Sequence, residues 1–198
     1  MNSEANFHSL HGHGYTVRRL NSGDGVRIFN GFAKSESLKL NFLPFEHDPA
    51  RISEFICEHI SVSPDTPGKD FWLVLDHKSD DSVAEGLVRC STIRSDPGQV
   101  KLRLFISDYG RKKEKSQIQR SIHSLVIYFF NVRRKQKIRS FADSDDDWLQ
   151  LLLEGVGFKK EGCLRENILV KHQWRDEFLY GLLRRDLGLL SDIKDPEI

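Results

Sequence analysis

The sequence predicts an α+β fold in which helices flank a mostly antiparallel sheet. Three observations predict it. Strand-like runs follow one another closely between residues 71 and 106, a long amphipathic helix follows at 112–131, and 198 residues suffice for one domain. Short connections join strands antiparallel, and a helix with one apolar face packs against a sheet. We therefore expect a single domain over residues 15–186, a flexible arm at 1–14 and a tail at 187–198.

The first 14 residues are polar and rich in glycine and histidine. His8, His11 and His13 are spaced closely enough to suggest a metal site. No other ligand type or rigid element accompanies them, and such segments are usually loose. The arm is the favoured interpretation, and we expect no metal.

Strands and helices alternate through the first half of the chain. Residues 15–20 read as a short strand, and the Asn21–Asp24 turn precedes a first helix. A second helix is predicted at 50–60. Three strands follow at 71–75, 85–93 and 100–106, and the last alternates apolar residues with Lys101, Arg103 and Phe105.

The second half begins with the clearest helix, whose apolar residues recur at helical spacing: Ile118, Ile122, Leu125, Val126, Phe129 and Phe130. A brief strand is predicted at 138–142. The acidic run 145–147 favours the start of a helix at 148–155, which Gly157 ends. Strands at 159–169 and 174–183 complete the order β-α-α-β-β-β-α-β-α-β-β.

Composition narrows the functional classes. There are 30 basic and 29 acidic residues, so the formal charge is +1. Three widely spaced cysteines form no zinc or disulfide pattern. No apolar run reaches the roughly 18 residues of a membrane span, and no signal peptide is evident. We expect a cytoplasmic protein that does not contact a membrane.

Charge is nevertheless strongly polarised along the chain. Residues 111–139 contain ten basic residues and one acidic residue, whereas 141–154 contain five acidic residues and no basic one. A phosphate-rich partner such as coenzyme A, an acyl carrier protein or RNA is one interpretation. A solvated helix face is the other. Aromatic residues are not interleaved with the basic ones, so nucleic acid is the least supported partner.

Two C-terminal stretches carry a family resemblance. Leu153–Glu166 contains Glu154, Gly157-Phe158, Glu161-Gly162 and Arg165-Glu166, and Asp176–Leu183 contains Asp-Glu followed by Tyr180 and Leu183. This pattern resembles the GNAT N-acetyltransferase superfamily, in particular the subgroup that acetylates the N-termini of ribosomal proteins. The resemblance implies a twisted sheet with a splayed strand pair, which forms a V-shaped cleft for acetyl-CoA.

The resemblance also implies which residues bind the cofactor. They form the end of one strand, the phosphate loop and the start of a later helix: Phe105, Ile106, Ser107, Gly110, Arg111, Lys112, Lys113, Glu114, Lys115 and Asp146. Backbone amides at a helix N-terminus bind anions. Lys113 and Lys115 replace small residues of the family pattern, so the pyrophosphate loop is degenerate. Their ammonium groups can bind phosphate as point charges instead.

The implied reaction moves an acetyl group from acetyl-CoA to a primary amine by direct attack. Glu85 could act as a base through water, or it could be an exposed strand carboxylate. Glu166 could do the same, or it could form an ion pair with Arg165. The alternative function is a catalytically degenerate binding protein that recognises a pantetheine carrier or an acidic partner. The acceptor amine is not indicated, and a monomer or homodimer is expected.

Overall fold

The computed structural model describes residues 7, 9–12, 14–32, 48–62, 66, 69–77, 82–93, 96–170 and 172–189. The strands are β1 Ser9–Gly12, β2 Tyr15–Arg19, β3 Asp70–His77, β4 Gly86–Ile93, β5 Asp96–Ile106, β6 Lys137–Asp143, β7 Lys159–Val170 and β8 Gln173–Leu183. The helices are α1 Asp24–Phe32, α2 Pro49–His59, α3 Asp108–Arg111, α4 Lys115–Asn131 and α5 Asp147–Val156, and a 3₁₀ helix spans Arg184–Leu189.

One sheet joins all eight of these strands in the order β1-β2-β3-β4-β5-β6-β8-β7. Every neighbouring pair is antiparallel except β5 and β6, which are parallel. The predicted α+β class and mostly antiparallel sheet are confirmed. None of the described helices has the length and apolar composition of a membrane span.

The expected N-terminal arm needs correction. Ser9–Gly12 pair with β2 as an edge strand, and Leu10 packs against the core. The polar composition gave no sign of this strand, because an edge strand is held mainly by backbone hydrogen bonds and needs few apolar side chains. His11 bonds to Ser9 and Thr16, while His8 and His13 lie outside the described residues. At the other end, Leu187 packs against the core from the 3₁₀ helix, and residues 190–198 lie outside the described part.

Local sequence explains where the helices begin and end. The Asp48 carboxylate accepts from the Ala50 amide ahead of α2, and the Asp146 carboxylate accepts from the Leu149 amide at the start of α5. Gly157 ends α5 in the left-handed region at φ 105°, as predicted. The long helix, predicted from residue 112, is preceded by the separate short α3, which Ser107 caps.

Helices cover both faces of the sheet. On one face α4 and α5 pack on a core whose largest buried side chains include Tyr15, Leu73, Leu102, Phe129, Phe130 and Tyr180. On the other face α1 and α2 cover the β3–β5 region, where Trp72, Val74, Leu87 and Phe105 are buried. Each such apolar side chain contributes about 1.5–3 kcal/mol on burial. The β5, β6 and β8 part of this second face carries charged side chains instead.

Candidate active site

β5 and β6 part after a short paired stretch, and this opens a cleft. Their register contains three pairs, Gln99–Lys137, Val100–Ile138 and Lys101–Arg139, although β5 continues to Ile106 and β6 to Asp143. The Ser140 hydroxyl donates to Leu102 O at 3.0 Å across the gap. Since backbone groups alternate along a strand, those of Leu104 and Ile106 face the same gap. The V-shaped opening between two neighbouring strands is therefore present.

Arginine–carboxylate pairs span this cleft at two levels. The Arg103 guanidinium donates to both oxygens of the buried Glu177 carboxylate at 2.7 and 2.9 Å. Nearer the loop, Arg111 donates to both oxygens of Asp146 at 2.7 and 2.6 Å and through Nε to Ile106 O at 3.2 Å. The cavity left between them is about 40 Å³, which holds a few waters. A pantetheine arm would require these side chains to move.

The loop after β5 is held by the backbone of Glu85. Glu85 O accepts from the Ser107 amide at 2.9 Å and from the Ser107 hydroxyl at 3.0 Å, and that hydroxyl accepts from the Gly110 amide. A Cβ on Gly110 would lie 2.5 Å from Glu85 O. Any other residue at 110 would therefore displace the loop, which fixes its path toward α4.

The lysines of the loop lie at its outer side. Lys112 is exposed, the Lys113 ammonium lies 4.7 Å from the centre of the Tyr109 ring, and the Lys115 ammonium lies 5.1 Å from that of Trp148. None of the three is among the described residues that line the cleft. Glu114 precedes α4 and accepts from Ser116 and Gln117, so a carboxylate lies at this helix N-terminus.

The remaining predicted cofactor residues take different positions. Phe105 stacks on Trp72 in the core that α1 and α2 cover, with ring centres 5.8 Å apart. Phe105 also lines the cleft. Ile106 lines the cleft, whereas Ser107 is buried and bound to Glu85 O and does not line it. Asp146 caps α5 and simultaneously binds Arg111, so it lines the cleft through its carboxylate.

The two predicted bases are placed in contrasting environments. Glu85 is fully buried, so it is not the exposed strand carboxylate that we considered. Within the described residues, neither its carboxylate nor the Tyr15 hydroxyl has a hydrogen-bond partner of ordinary geometry. Burial raises the pKa of Tyr15 strongly, and the nearby Glu85 adds to this effect. Glu166 is exposed in an irregular part of β7 at φ 49°, and its amide donates to Asp176. Neither side chain is among the described residues that line the cleft.

Sequence reasoning missed the side chains that occupy the cleft walls. Arg103, Asp143 and Glu177 line it, and Asp143 pairs with Arg175 at 3.2 Å. The alternation of β5 could have placed Arg103 on the face opposite the α4 core. Only the strand register brings Glu177 beside it. Within the described residues, no group of three His, Cys, Asp or Glu side chains is arranged to hold a metal ion.

Solved structures resemble this architecture over most of its length. One is ribosomal-protein-S5-alanine acetyltransferase from Vibrio fischeri, with 18% identity, a TM-score of 0.75 and coverage of 90% of this chain and 97% of the other. The chain has the fold of GNAT acetyltransferases. A GNAT-family acetyltransferase from Bacillus anthracis matches at 11% identity and a TM-score of 0.73, covering 89% of this chain and 99% of the other.

A third similar structure is spermidine N-acetyltransferase from Vibrio cholerae in complex with CoA and spermine. It has 19% identity and a TM-score of 0.70, and the match covers 87% of this chain and 97% of that one. No protein-family model and no curated protein sequence matches the chain. These structures confirm the expected GNAT fold. Identities of 11% to 19% support a shared architecture.

Proposed function

We propose that the protein is an N-acyltransferase that uses acetyl-CoA to acetylate a primary amine. The observation that carries the proposal is the parting of β5 and β6 beside the basic segment 111–115. The gap presents backbone groups of Leu104 and Ile106, which suit the polar atoms of an extended thioester carrier. Two of the similar structures are named as acetyltransferases of alanine in a ribosomal protein and of spermidine.

The cleft residues fit acetyl-CoA when Arg111 exchanges the Asp146 carboxylate for a phosphate of the cofactor. When bound, acetyl-CoA supplies the activated acetyl group. Arg111 already lies between the strand end and α5, and its fork-shaped guanidinium suits a phosphate as well as it suits Asp146. Lys112, Lys113 and Lys115 surround the same loop and add positive charge. Closely held reactants account for much of such a rate enhancement, so positioning is the main contribution of this chain.

The proton of the attacking amine needs an acceptor. Of the two predicted carboxylates, Glu166 is the one that solvent reaches, so we propose that it acts through water. General bases contribute about 10²–10⁴-fold. Glu166→Gln should lower kcat by about 10²-fold, measured as thiol release at saturating acetyl-CoA. Glu85→Gln is the matched variant, and a larger loss in kcat for it at unchanged stability would transfer the role to Glu85.

Acetyl-CoA binding is tested most sharply at Asp146. Asp146→Asn retains an N-cap for α5 but releases Arg111 and removes a negative charge that faces the cofactor phosphates. We expect calorimetric titration to show affinity for acetyl-CoA that is about three- to tenfold tighter than in the unmodified protein. Asp147→Asn removes the same charge from an exposed neighbouring position and should change little. Absence of binding by every form at millimolar acetyl-CoA would refute the proposal.

A second candidate is a binding protein without acetyl transfer. The three described carboxylates that line the cleft are each bound to an arginine: Asp143 to Arg175, Asp146 to Arg111 and Glu177 to Arg103. A cleft held closed in this way could recognise a pantetheine carrier or an acidic partner through its basic rim. Tight binding of acetyl-CoA or of an acyl carrier protein, with no thiol release for any amine, would favour this candidate.

A further inference from the structure

Four basic side chains lie together on the sheet face opposite α4. We call this cluster, Arg89, Lys101, Arg103 and Arg139, the basic patch. Arg89 is the register partner of Arg103 across β4 and β5, and Lys101 is the register partner of Arg139 across β5 and β6. All four are half-buried. Like charges directly opposite one another on a sheet face are destabilising, so the patch places two such pairs side by side.

In the described part of the chain, carboxylates pair with two of the four cations of the patch. Asp70 lies 3.6 Å from Arg89, and Glu177 binds Arg103. Among the described residues, Lys101 and Arg139 have no carboxylate within ion-pair distance. The Nε atom of Arg139 is buried and has no hydrogen-bond partner there.

A further carboxylate lies close to Arg139 but is already engaged. A Cβ on Gly181, the register partner of Arg139, would collide with the Glu161 side chain, so Glu161 lies over Gly181. The Lys137 ammonium donates to both Glu161 oxygens at 2.7 Å. Glu161 and Lys137 therefore form a balanced pair at the edge of the patch, and the surplus of positive charge remains.

The surroundings of the patch are suited to an anion. Burial lowers the pKa of Lys101, and the charges of Arg103 and Arg89 lower it further. A bound anion would reverse that effect. Phe141 forms an apolar floor, with the Arg103 guanidinium carbon 4.9 Å and the Lys101 ammonium 5.8 Å from its ring centre. Planar guanidinium groups and lysines together bind carboxylates and phosphates well.

The patch is continuous with the cleft but separate from the predicted cofactor loop. Arg103 and Phe141 belong to the patch region and also line the cleft between β5 and β6. Lys101, Arg103 and Phe105 face away from the core that α4 and α5 cover, whereas the loop 107–115 leads into α4. A molecule bound on the patch therefore reaches the cleft from the side opposite the helix that follows the cofactor loop.

We propose that the basic patch binds a carboxylate or phosphate group and that the amine acceptor carries this group. The part that concerns the acceptor rests on the proposed function. A polyamine such as spermidine would meet four cations here, so an anionic amine fits this chain better. An acceptor bound through its oxyanion at Lys101 and Arg139 would direct its amine past Phe141 into the cleft.

The anion site is tested first without any acetyl transfer. Inorganic phosphate is titrated into the full chain and followed by amide NMR shifts, with Lys101→Met and Arg139→Met as variants. Each variant should weaken phosphate binding by about tenfold. The double variant Lys137→Met/Glu161→Gln is the matched control, because it removes a balanced ion pair at the edge of the patch without freeing Glu161 to neutralise Arg139, and it should leave binding unchanged. Phosphate binding that is absent, or equal in all forms, overturns the site.

The acceptor is tested by thiol release from acetyl-CoA with ethanolamine, O-phosphoethanolamine and spermidine. Faster acetylation of O-phosphoethanolamine than of ethanolamine, with the preference lost in Lys101→Met, supports the assignment. Equal rates for these two amines, or faster acetylation of spermidine, overturn the anionic acceptor and leave the proposed function standing. Intact phosphate binding with no acetylation of any of the three overturns the proposed acceptor, while the anion site remains. Failure of the proposed function itself is shown separately, by absence of acetyl-CoA binding.

Discussion

Two clusters of arginine and carboxylate side chains on the same sheet differ in their balance of charge. One, the ion quartet, joins Arg18 and Arg27 to Asp24 and Asp76, with every arginine–aspartate combination in contact. The other is the basic patch, in which four cations meet two carboxylates of the described part of the chain. The quartet ties β2, α1 and β3 together and pairs two arginines with two aspartates, so these four described side chains balance one another. The patch retains a surplus beside the cleft, where a ligand could neutralise it.

The pKa values of two arginines show the same contrast. Burial lowers the pKa of both Arg18 and Arg89. For Arg18, the hydrogen bonds that it donates to Asp24 and the charge of Asp76 outweigh burial, so its pKa is raised. For Arg89, burial together with the charge of Arg103 outweighs Asp70, so its pKa is lowered. The charges that face Arg18 therefore outweigh its burial, whereas those that face Arg89 do not, and in our proposal a bound anion supplies further compensation to the patch.

The largest expected effect is the loss of balance in the quartet. Asp24 is 1% exposed, and Asp24→Asn keeps its volume while removing one of the two carboxylates of the quartet that Arg18 and Arg27 share. Removing one partner of a buried ion pair costs about 3–5 kcal/mol. Urea denaturation should show a loss in this range.

An exposed ion pair provides the control for Asp24→Asn. Lys159, whose side chain is 66% exposed, lies 3.2 Å from Asp186. Lys159→Ala should change the free energy of unfolding by less than about 1 kcal/mol. Equal effects of the two substitutions would show that the quartet is no more important to stability than a surface pair.

The basic patch should respond in the opposite direction. Lys101→Met removes a partly buried cation that faces Arg103 and Arg139, and it retains the apolar stem. We expect the free energy of unfolding to rise by about 0.5–1 kcal/mol, because like-charge pairs on a sheet oppose folding. Lys137→Met removes a cation that Glu161 balances and should lower stability slightly. A loss of stability in Lys101→Met would show that the patch is already balanced in the folded protein.

Much of this architecture follows from local sequence. The apolar stripe of α4 has helical spacing, and the acidic run before α5 together with Gly157 marks both ends of that helix. β1 and α3 were missed because a four-residue edge strand and a four-residue helix have too few residues to show a period.

The candidate site was less predictable than the fold. The alternation of β5 indicates that Lys101, Arg103 and Phe105 share a face. That Arg89 lies beside Arg103 depends on the β4–β5 register, which shifts between Thr92 and Ile93. That Arg139 lies beside Lys101 depends on the β5–β6 register, which the long connection through α4 leaves undetermined in the sequence. The same holds for the contact of Arg111 with Asp146, 35 residues apart. Counting charges along the sequence indicates a basic segment at 111–139. The basic patch becomes visible only when charges on neighbouring strands are grouped by the register of the sheet.

The smallest effect that separates the two clusters is a pH dependence. In the folded protein, burial and the charges of Arg103 and Arg89 lower the pKa of Lys101 from its ordinary 10.5, and the nearby carboxylates Asp70 and Glu177 oppose this without cancelling it; Arg139 is its register partner on β6. Between the folded and unfolded pKa values the unfolded chain binds more protons, so stability rises with pH in that window. The stability difference between Lys101→Met and the unmodified protein should therefore be constant at neutral pH and shrink as pH approaches 10.5. Urea denaturation of both forms at several pH values measures it, and a difference that grows with pH would place Lys101 in a compensated environment like that of Arg18.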